Sequence, residues 1–258
     1  MQIHILNKNI NYEILNSQWL EDCRPLLVFL HEGLGSIGQW KDFPKLLSDA
    51  VKLPAIVYDR VGYGNSDDWD GPISPDFLHK EAIEYLPALL QALDLTNEYY
   101  LFGHSDGGTI ALRHAVDNPK RLRGIIVEAP HVFLEEQSLQ GIRSARLMLR
   151  KPEILERLNR YQSGRAAKLI DAWSGLWLRD DVRNWEMVSL LEKITTPMLL
   201  IQGENDDFGT YEQLDITARL AQSESIQVEK LKDCGHIPHL QQQEIVLKLS
   251  YEFLIDAG

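Results

Sequence analysis

The stretch Leu101-Phe102-Gly103-His104-Ser105-Asp106-Gly107-Gly108 decides the fold, because it places the spacing Gly-x-Ser-x-Gly between two contrasting segments. Residues 98–102 are aromatic and apolar, which is typical of a buried strand, and residues 109–115 favour a helix. A strand that turns sharply into a helix around a serine exposes the hydroxyl, and flanking glycines let backbones pass closely. The pattern therefore predicts that Ser105 is a nucleophile. The alternative is a glycine-rich turn that only packs or binds phosphate.

The composition indicates a single globular α/β domain. The chain has 258 residues, 44% of them hydrophobic and 25% charged, which is enough for one well-buried core. Its formal net charge of −12 argues against nucleic acid and anionic membrane surfaces as partners. We find no signal peptide pattern and no apolar run long enough to span a bilayer. With only two cysteines, Cys23 and Cys234, and no disulfide expected, we predict a cytoplasmic protein.

Strand and helix patterns alternate along most of the chain. After a hairpin within residues 2–15, we predict buried strands at residues 25–31, 54–58, 98–102, 124–127, 198–202 and 226–231. Such alternation gives a mostly parallel, doubly wound sheet with helices on both faces. Residues 131–196 show no strand pattern and favour several helices. We therefore expect a core formed by residues 1–130 and 197–258, with residues 131–196 inserted as a helical cap over the edge where such sheets bind ligands.

The ends of two later strands carry the acid and the histidine that a reactive serine needs. A serine hydroxyl is a poor nucleophile unless a histidine accepts its proton and a carboxylate orients that histidine. Residues 198–202 lead into Asp206, and residues 226–231 lead into His236. We predict that these two residues complete a triad with Ser105. Asp207 and His239 are the neighbouring alternatives, and Cys234 is a weaker candidate for the nucleophile.

The chain resembles the α/β-hydrolase fold superfamily over nearly its whole length. The residues that carry the resemblance are Leu30-His31-Glu32-Gly33, Asp59-Arg60-Val61-Gly62-Tyr63-Gly64-Asn65-Ser66, Gly103-His104-Ser105-Asp106-Gly107-Gly108, Gly203-Glu204-Asn205-Asp206 and Gly235-His236. The resemblance implies that Ser105 is the nucleophile, His236 the general base and then acid, and Asp206 the orienting carboxylate. A serine at this turn argues against the dehalogenase and epoxide hydrolase reactions of the fold, which use an aspartate there.

The same resemblance implies an oxyanion hole made of two backbone N–H groups. One belongs to Asp106, the residue after the serine. The other comes from the loop after the strand at residues 25–31, where counting from His31 gives Gly33 and counting from the glycine gives Leu34. We expect Gly33. Glu32 stands where the family usually has glycine, which is a departure from the pattern.

Five residues are candidates for binding the substrate: Glu32, Asp106, His131, Trp173 and Trp177. Trp173 and Trp177 lie four positions apart on one helix face, where packing in the core is the alternative to lining a pocket. The turn Gly-x-Ser-Asp-Gly-Gly is also similar to that of amino-acid ester hydrolases, in which acidic side chains near the serine would attract an ammonium group. For His31, His104 and Glu128 we expect structural roles.

These observations predict a serine hydrolase that cleaves a small carboxylic ester through an acyl-enzyme, without a metal or organic cofactor. One alternative is hydrolysis of a carbon–carbon bond in a diketone of the ring-fission type, which uses the same triad. Another is a receptor with a hydrolase fold and no useful turnover. The oligomeric state and the physiological substrate are left open, because specificity in this fold depends on the cap and loops.

Overall fold

One sheet of eight strands organises the molecule, in a computed structural model that describes residues 1–256. The strands are β1 (Gln2–Ile5), β2 (Lys8–Leu15), β3 (Leu26–Leu30), β4 (Ala55–Tyr58), β5 (Tyr99–His104), β6 (Leu122–Glu128), β7 (Met198–Gly203) and β8 (Ile226–Leu231). Their order across the sheet is β1-β2-β4-β3-β5-β6-β7-β8. β2 pairs antiparallel with β1 and β4, and the remaining pairs are parallel. The predicted α/β fold with a mostly parallel sheet is confirmed.

Helices cover both faces of this sheet. They are α1 (Phe43–Val51), α2 (Phe77–Lys80), α3 (Leu86–Ala92), α4 (Asp106–Ala115), α5 (Glu136–Leu149), α6 (Pro152–Asn159), α7 (Ala166–Trp177), α8 (Glu212–Leu220), α9 (Pro238–Gln241) and α10 (Gln243–Asp256). The three helices α5, α6 and α7 all lie between β6 and β7 in the chain, within the predicted cap; the division into core and cap stays a prediction. None of the helices within residues 1–256 is both long enough and apolar enough to cross a membrane.

The central strands are apolar on both sides because helices bury both sides. Every residue of β3, β5 and β7 is buried, as expected for parallel strands covered on two faces. On one face Phe29 of β3 packs with Phe43 of α1 and Phe253 of α10. On the other face the apolar side chains of α3, α4 and α8 cover the same strands. These two layers hold the strand ends, and therefore the site, in a fixed arrangement.

The helical segment that leads into α3 is irregular. The α-helix begins at Phe77, and residues Glu81–Tyr85 form a turn of π-helix before α3. Pro87 explains the change, because a proline has no N–H and its ring clashes with the carbonyl four residues earlier. The last helical segment is likewise interrupted at Gln242, which separates α9 from α10.

Candidate active site

Ser105 lies in a strained turn between β5 and α4. Its backbone angles are φ 55° and ψ −118°, a region that an ordinary residue adopts only when its surroundings force it. Gly103 and Gly107 make the turn possible, since a Cβ on Gly103 would lie 2.2 Å from the carbonyl oxygen of Gly107. A Cβ on Gly107 would lie 1.8 Å from the carbonyl oxygen of Leu30 in β3. Both glycines are therefore required by close backbone packing.

The structure brings the three residues of the predicted triad together. The Nε2 atom of His236 lies 3.0 Å from the Oγ atom of Ser105. The Nδ1 atom of the same ring lies 2.9 Å from each carboxylate oxygen of Asp206. If Nδ1 carries the proton, Nε2 is free to accept the serine proton, which is the arrangement that activates a hydroxyl. The side chains come from the ends of β5, β7 and β8, at one edge of the sheet.

Asp206 is held as an ionised carboxylate. Its two oxygens accept hydrogen bonds from the N–H of Phe208 at 2.8 Å and from Nε2 of Gln202 at 3.2 Å. Burial favours the protonated form, but His236 and the Phe208 N–H outweigh it and lower the pKa of Asp206. Asp207, the alternative acid, is exposed. The backbone carbonyl of Asp206 also accepts a hydrogen bond from Gln137 of α5, which ties the cap region to this loop.

The alternatives to His236 and Ser105 lie in other surroundings. His239 is buried, and its Nδ1 is 2.6 Å from Oε2 of Glu128 in a pair beneath the site. Glu128 is therefore buried and engaged in a hydrogen bond with another side chain. The thiol of Cys234 is buried, and burial raises its pKa to about 11. A thiol of this kind stays protonated at neutral pH and is a poor nucleophile.

The candidate oxyanion donors border the same cavity as Ser105. Gly33, Leu34 and Asp106 all line it. Asp106 is the first residue of α4, where the backbone N–H groups are free of intrahelical partners. Gly33 has no room for a side chain, because a Cβ there would lie 2.5 Å from Nε1 of Trp173 and 2.9 Å from Oδ2 of Asp106. A larger residue at this position would therefore displace the side chain of Trp173 or Asp106.

The cavity over Ser105 is small and mostly apolar. Its volume is about 170 Å³. Its apolar walls come from α5, α7 and neighbouring loops: Leu134, Ile142, Ala145, Met148, Leu149, Trp173, Trp177 and Phe208. Trp173 and Trp177 are also buried, so they both pack in the core and line the cavity. A wider and more polar cavity of about 670 Å³ shares Ala145, Met148 and Phe208 as lining residues.

The polar candidates near the cavity are largely engaged with protein groups. Glu32 lines the cavity, and its Oε2 lies 3.6 Å from Nδ1 of His104, whose Nε2 donates to the carbonyl of His236. Burial opposes ionisation of Glu32, but His104 outweighs it and lowers the pKa of that carboxyl to about 2. The carboxylate of Asp106 is buried and lies 3.7 Å from Nη2 of Arg60. Both acids therefore have a cationic or protonatable partner already.

His131 lies against the predicted base. Its ring is nearly parallel to that of His236, with the centroids 6.2 Å apart. Burial and the neighbouring His236 lower the pKa of His131 to about 4, so its ring is neutral at physiological pH. A neutral imidazole at this position contributes shape and one hydrogen-bonding group to the cavity wall rather than charge.

Three residues that bear on the site were not selected from the sequence: Arg60, Gln137 and Gln162. Arg60 lies in the glycine-containing loop after β4, where the Asp-Arg-x-Gly pattern was visible but suggested no role. Gln137 lies in a helix and Gln162 in a turn, and no sequence pattern there indicates that either side chain makes a polar contact. Their partners are backbone groups that are distant in sequence, which no local pattern reports.

The sequence is similar to those of several known proteins. A profile of the alpha/beta hydrolase family matches residues 27–249. Lipase 1 of Psychrobacter immobilis is 22% identical over 233 residues, which cover 82% of this chain and 71% of the lipase. The 2-succinyl-6-hydroxy-2,4-cyclohexadiene-1-carboxylate synthase of Yersinia enterocolitica is 34% identical over 120 residues, covering 46% of this chain and only 40% of the synthase.

The fold is likewise similar to that of solved structures. The crystal structure of a membrane phospholipase A, described as a bacterial virulence factor, superposes with a TM-score of 0.82 at 19% identity, covering 100% of this chain and 86% of that chain. At this identity the likeness concerns the fold alone. Together with the profile, which spans most of the sequence, it leads to one conclusion: the chain belongs to the alpha/beta hydrolase family.

Proposed function

We propose that the protein is a serine esterase that hydrolyses a small carboxylic ester with an apolar acyl group. The observation that carries the proposal is the hydrogen-bonded series Ser105–His236–Asp206, which opens into an apolar cavity. Relatives named as lipases support the class of reaction. The small cavity volume, about 170 Å³, favours a short or compact acyl group.

The chemistry follows from the positions of the proton carriers. The Ser105 oxygen attacks the ester carbonyl while His236 Nε2 takes the serine proton, and Asp206 stabilises the imidazolium that forms. The carbonyl oxygen becomes an oxyanion that two backbone N–H groups stabilise. The intermediate then collapses, the C–O bond to the alcohol breaks, and His236 gives its proton to the departing oxygen. Water repeats the sequence on the acyl-enzyme and releases the acid.

The surroundings of the acidic residues favour an uncharged acyl group over one that carries an ammonium. Arg60 lies beside Asp106, and His104 lies beside Glu32, so the negative charge that an ammonium needs is already partly balanced. We expect an ester without an amino group to be hydrolysed at least as fast as its amino analogue. Clear preference for the amino ester would instead support the similarity to amino-acid ester hydrolases.

An activity screen tests the proposal. Wild-type protein and Ser105→Ala are assayed with p-nitrophenyl esters of increasing acyl length, with matched amino esters and with a dienoic ring-fission acid. We expect turnover of the short apolar esters and a loss of several orders of magnitude in Ser105→Ala. Faster cleavage of the ring-fission acid would favour carbon–carbon bond hydrolysis. Absence of turnover on every substrate would favour a receptor.

A further inference from the structure

A buried arginine connects the two segments that carry the candidate oxyanion donors. The side chain of Arg60 is 0% exposed. Its Nη2 atom donates a hydrogen bond to the backbone carbonyl of Glu32 at 2.9 Å and lies 3.7 Å from Oδ2 of Asp106. Gly33 follows the first of these residues, and the backbone N–H of Asp106 is the other candidate donor. One guanidinium therefore contacts both halves of the predicted oxyanion hole.

The carbonyl of Glu32 accepts hydrogen bonds from three donors. Besides Arg60, they are the backbone N–H of Gly35 at 3.0 Å and Nδ1 of His31 at 2.8 Å. Nε2 of His31 in turn accepts the backbone N–H of Arg60 at 3.1 Å. These two bonds require a neutral imidazole with its hydrogen on Nδ1, and burial together with Arg60 keeps the ring neutral by lowering the pKa of His31 to about 3. His31 and Arg60 thus form one support beneath the loop.

Fixing this carbonyl also fixes the direction of the Gly33 N–H. The carbonyl of Glu32 and the N–H of Gly33 belong to the same planar peptide, and in a trans peptide they point in opposite directions. With the carbonyl directed at Arg60 and His31, the N–H is directed away from them. Gly33 lines the cavity that contains Ser105. A hydrogen bond from a charged donor also polarises the peptide and strengthens its N–H as a donor.

The guanidinium is itself held in place by its surroundings. It lies over the ring of Tyr63, with Cζ 4.5 Å from the ring centroid. Asp106 supplies the nearest carboxylate, and its side chain is 2% exposed. With the hydrogen bond from Nη2 to the carbonyl of Glu32, these contacts hold the buried guanidinium beside the loop.

We propose that Arg60 is a positioning residue that orients the Glu32–Gly33 peptide, so that the N–H of Gly33 is the second oxyanion donor. This inference rests on the proposed esterase function. It assigns to Arg60 no contact with the substrate. Arg60 would stabilise the charged intermediate through the Gly33 N–H. A residue that only binds the ester would instead affect KM.

The experiment compares Arg60→Met and Arg60→Lys with wild type on the best p-nitrophenyl ester. Removal of one oxyanion donor costs about 100- to 1,000-fold in kcat, so we expect a loss of that order for Arg60→Met with KM within about threefold. Arg60→Lys keeps the charge beside Asp106 but not the planar fork, and we expect at least a tenfold loss of kcat. Affinity for an alkyl boronic acid, which forms a tetrahedral adduct with the serine, should fall in parallel with kcat.

Arg165→Met is the matched control. Nη2 of Arg165 donates to the carbonyls of Gly64 and Ser66 at 2.7 and 2.9 Å, in the same loop as Arg60 but away from Glu32. We expect a lower melting temperature and a kcat within about threefold of wild type.

Folded Arg60 variants with kcat near that of wild type, or an equal loss of kcat in Arg165→Met, would overturn the inference. Should Arg60→Met not fold, as judged by circular dichroism, the result for Arg60→Lys decides. A wild-type protein with no ester turnover at all would instead refute the proposed function, and the inference would fall with it.

Discussion

Two adjacent aspartates allow a matched test at the scale of single residues. Asp206 is buried against Nδ1 of His236 at 2.9 Å, whereas Asp207 is exposed. We expect Asp206→Asn to lower kcat by about four orders of magnitude, because the amide cannot stabilise the imidazolium and favours the wrong histidine tautomer. Asp207→Asn should stay within about threefold. Steady-state kinetics on both variants check this, and equal losses would contradict the assignment of the acid.

The sequence pattern locates this acid only to within one residue. A glycine, two intervening residues and an aspartate after a strand predict Asp206, but Asp207 satisfies the looser requirement of an acid after β7 equally well. The choice depends on how the loop folds back, with the Phe208 N–H and Gln202 Nε2 bonded to the carboxylate of Asp206. Those partners are set by the tertiary fold. Ser105 is selected by the glycines around it together with its place between a strand and a helix, whereas His236 has His239 as an alternative three residues later.

A buried glutamate provides a test by pH. Burial raises the pKa of Glu81 from 4.5 to about 7, although Arg60 and the Val61 N–H oppose the rise. Between these two pH values the folded protein holds a proton that the unfolded chain releases, so the free energy of unfolding falls as pH rises. Above pH 7 the free energy of unfolding is lower by about 3 kcal/mol than it is below pH 4.5 as a result of this one group.

We therefore expect Glu81→Gln, which stays neutral, to raise the melting temperature at pH 8 more than at pH 5. Thermal unfolding of both proteins at the two pH values measures the difference. A substitution effect that is the same at both pH values would show that the carboxyl does not change its charge in this window.

At the scale of elements, the turn between α6 and α7 anchors the cap region to the loops of the site. Gln162 is 1% exposed. Its Oε1 accepts the N–H of Gly64 at 2.7 Å, and its Nε2 donates to the carbonyls of Leu34 and Gly35, each at 2.9 Å. One side chain thus satisfies backbone groups of two loops, one of which carries Gly33 and Leu34 of the cavity wall.

We expect Gln162→Ala to lower the free energy of unfolding by about 3 kcal/mol, because it leaves several buried polar groups without partners. The neighbouring Ser163→Ala is the control: Ser163 is exposed and donates only to the exposed Asn65, so a change below about 0.5 kcal/mol is expected. Urea denaturation of the two variants gives both numbers. Similar losses of unfolding free energy in the two variants would show that Gln162 does not anchor the loops.

Helix α5 lines the cavity over Ser105 and would, on the proposed function, limit the length of the acyl group. Ala145 is 7% exposed and lines the cavity, whereas Leu147 on the same helix is 76% exposed. We expect Ala145→Phe to lower kcat/KM for a butyrate ester at least tenfold relative to an acetate ester, because the larger side chain occupies space needed by the longer acyl group. Leu147→Phe should leave that ratio unchanged. An unchanged ratio in a folded Ala145→Phe protein would place the acyl group elsewhere.

Element boundaries show where local patterns lose their predictive value. The apolar runs at β3, β5 and β7 predict those strands because burial on both faces leaves a continuous apolar sequence. Glu81–Tyr85 adopts a π-helical turn that the helical spacing of apolar residues does not distinguish from α-helix. Which cap residues face the cavity is also hidden, since Trp173 and Trp177 would show the same spacing in a purely structural helix.

At the scale of the whole molecule, the order of the strands explains how distant residues meet. β5 lies at the centre of the sheet with β6, β7 and β8 following on one side, so Ser105, Asp206 and His236 emerge from the carboxyl ends of parallel strands at one edge. The loop that carries Gly33 follows β3, the neighbour of β5 on the other side. The parallel topology therefore brings together residues that lie up to 131 positions apart in the sequence.

The proposed function requires that Ser105 is a nucleophile activated by His236. The most direct measurement is the intact mass of the protein after incubation with a fluorophosphonate, for wild type and Ser105→Ala. We expect one phosphonyl group per wild-type chain, located on Ser105 by peptide mapping, and none on Ser105→Ala. A wild-type protein that stays unmodified, or a label of equal yield on Ser105→Ala, would contradict it.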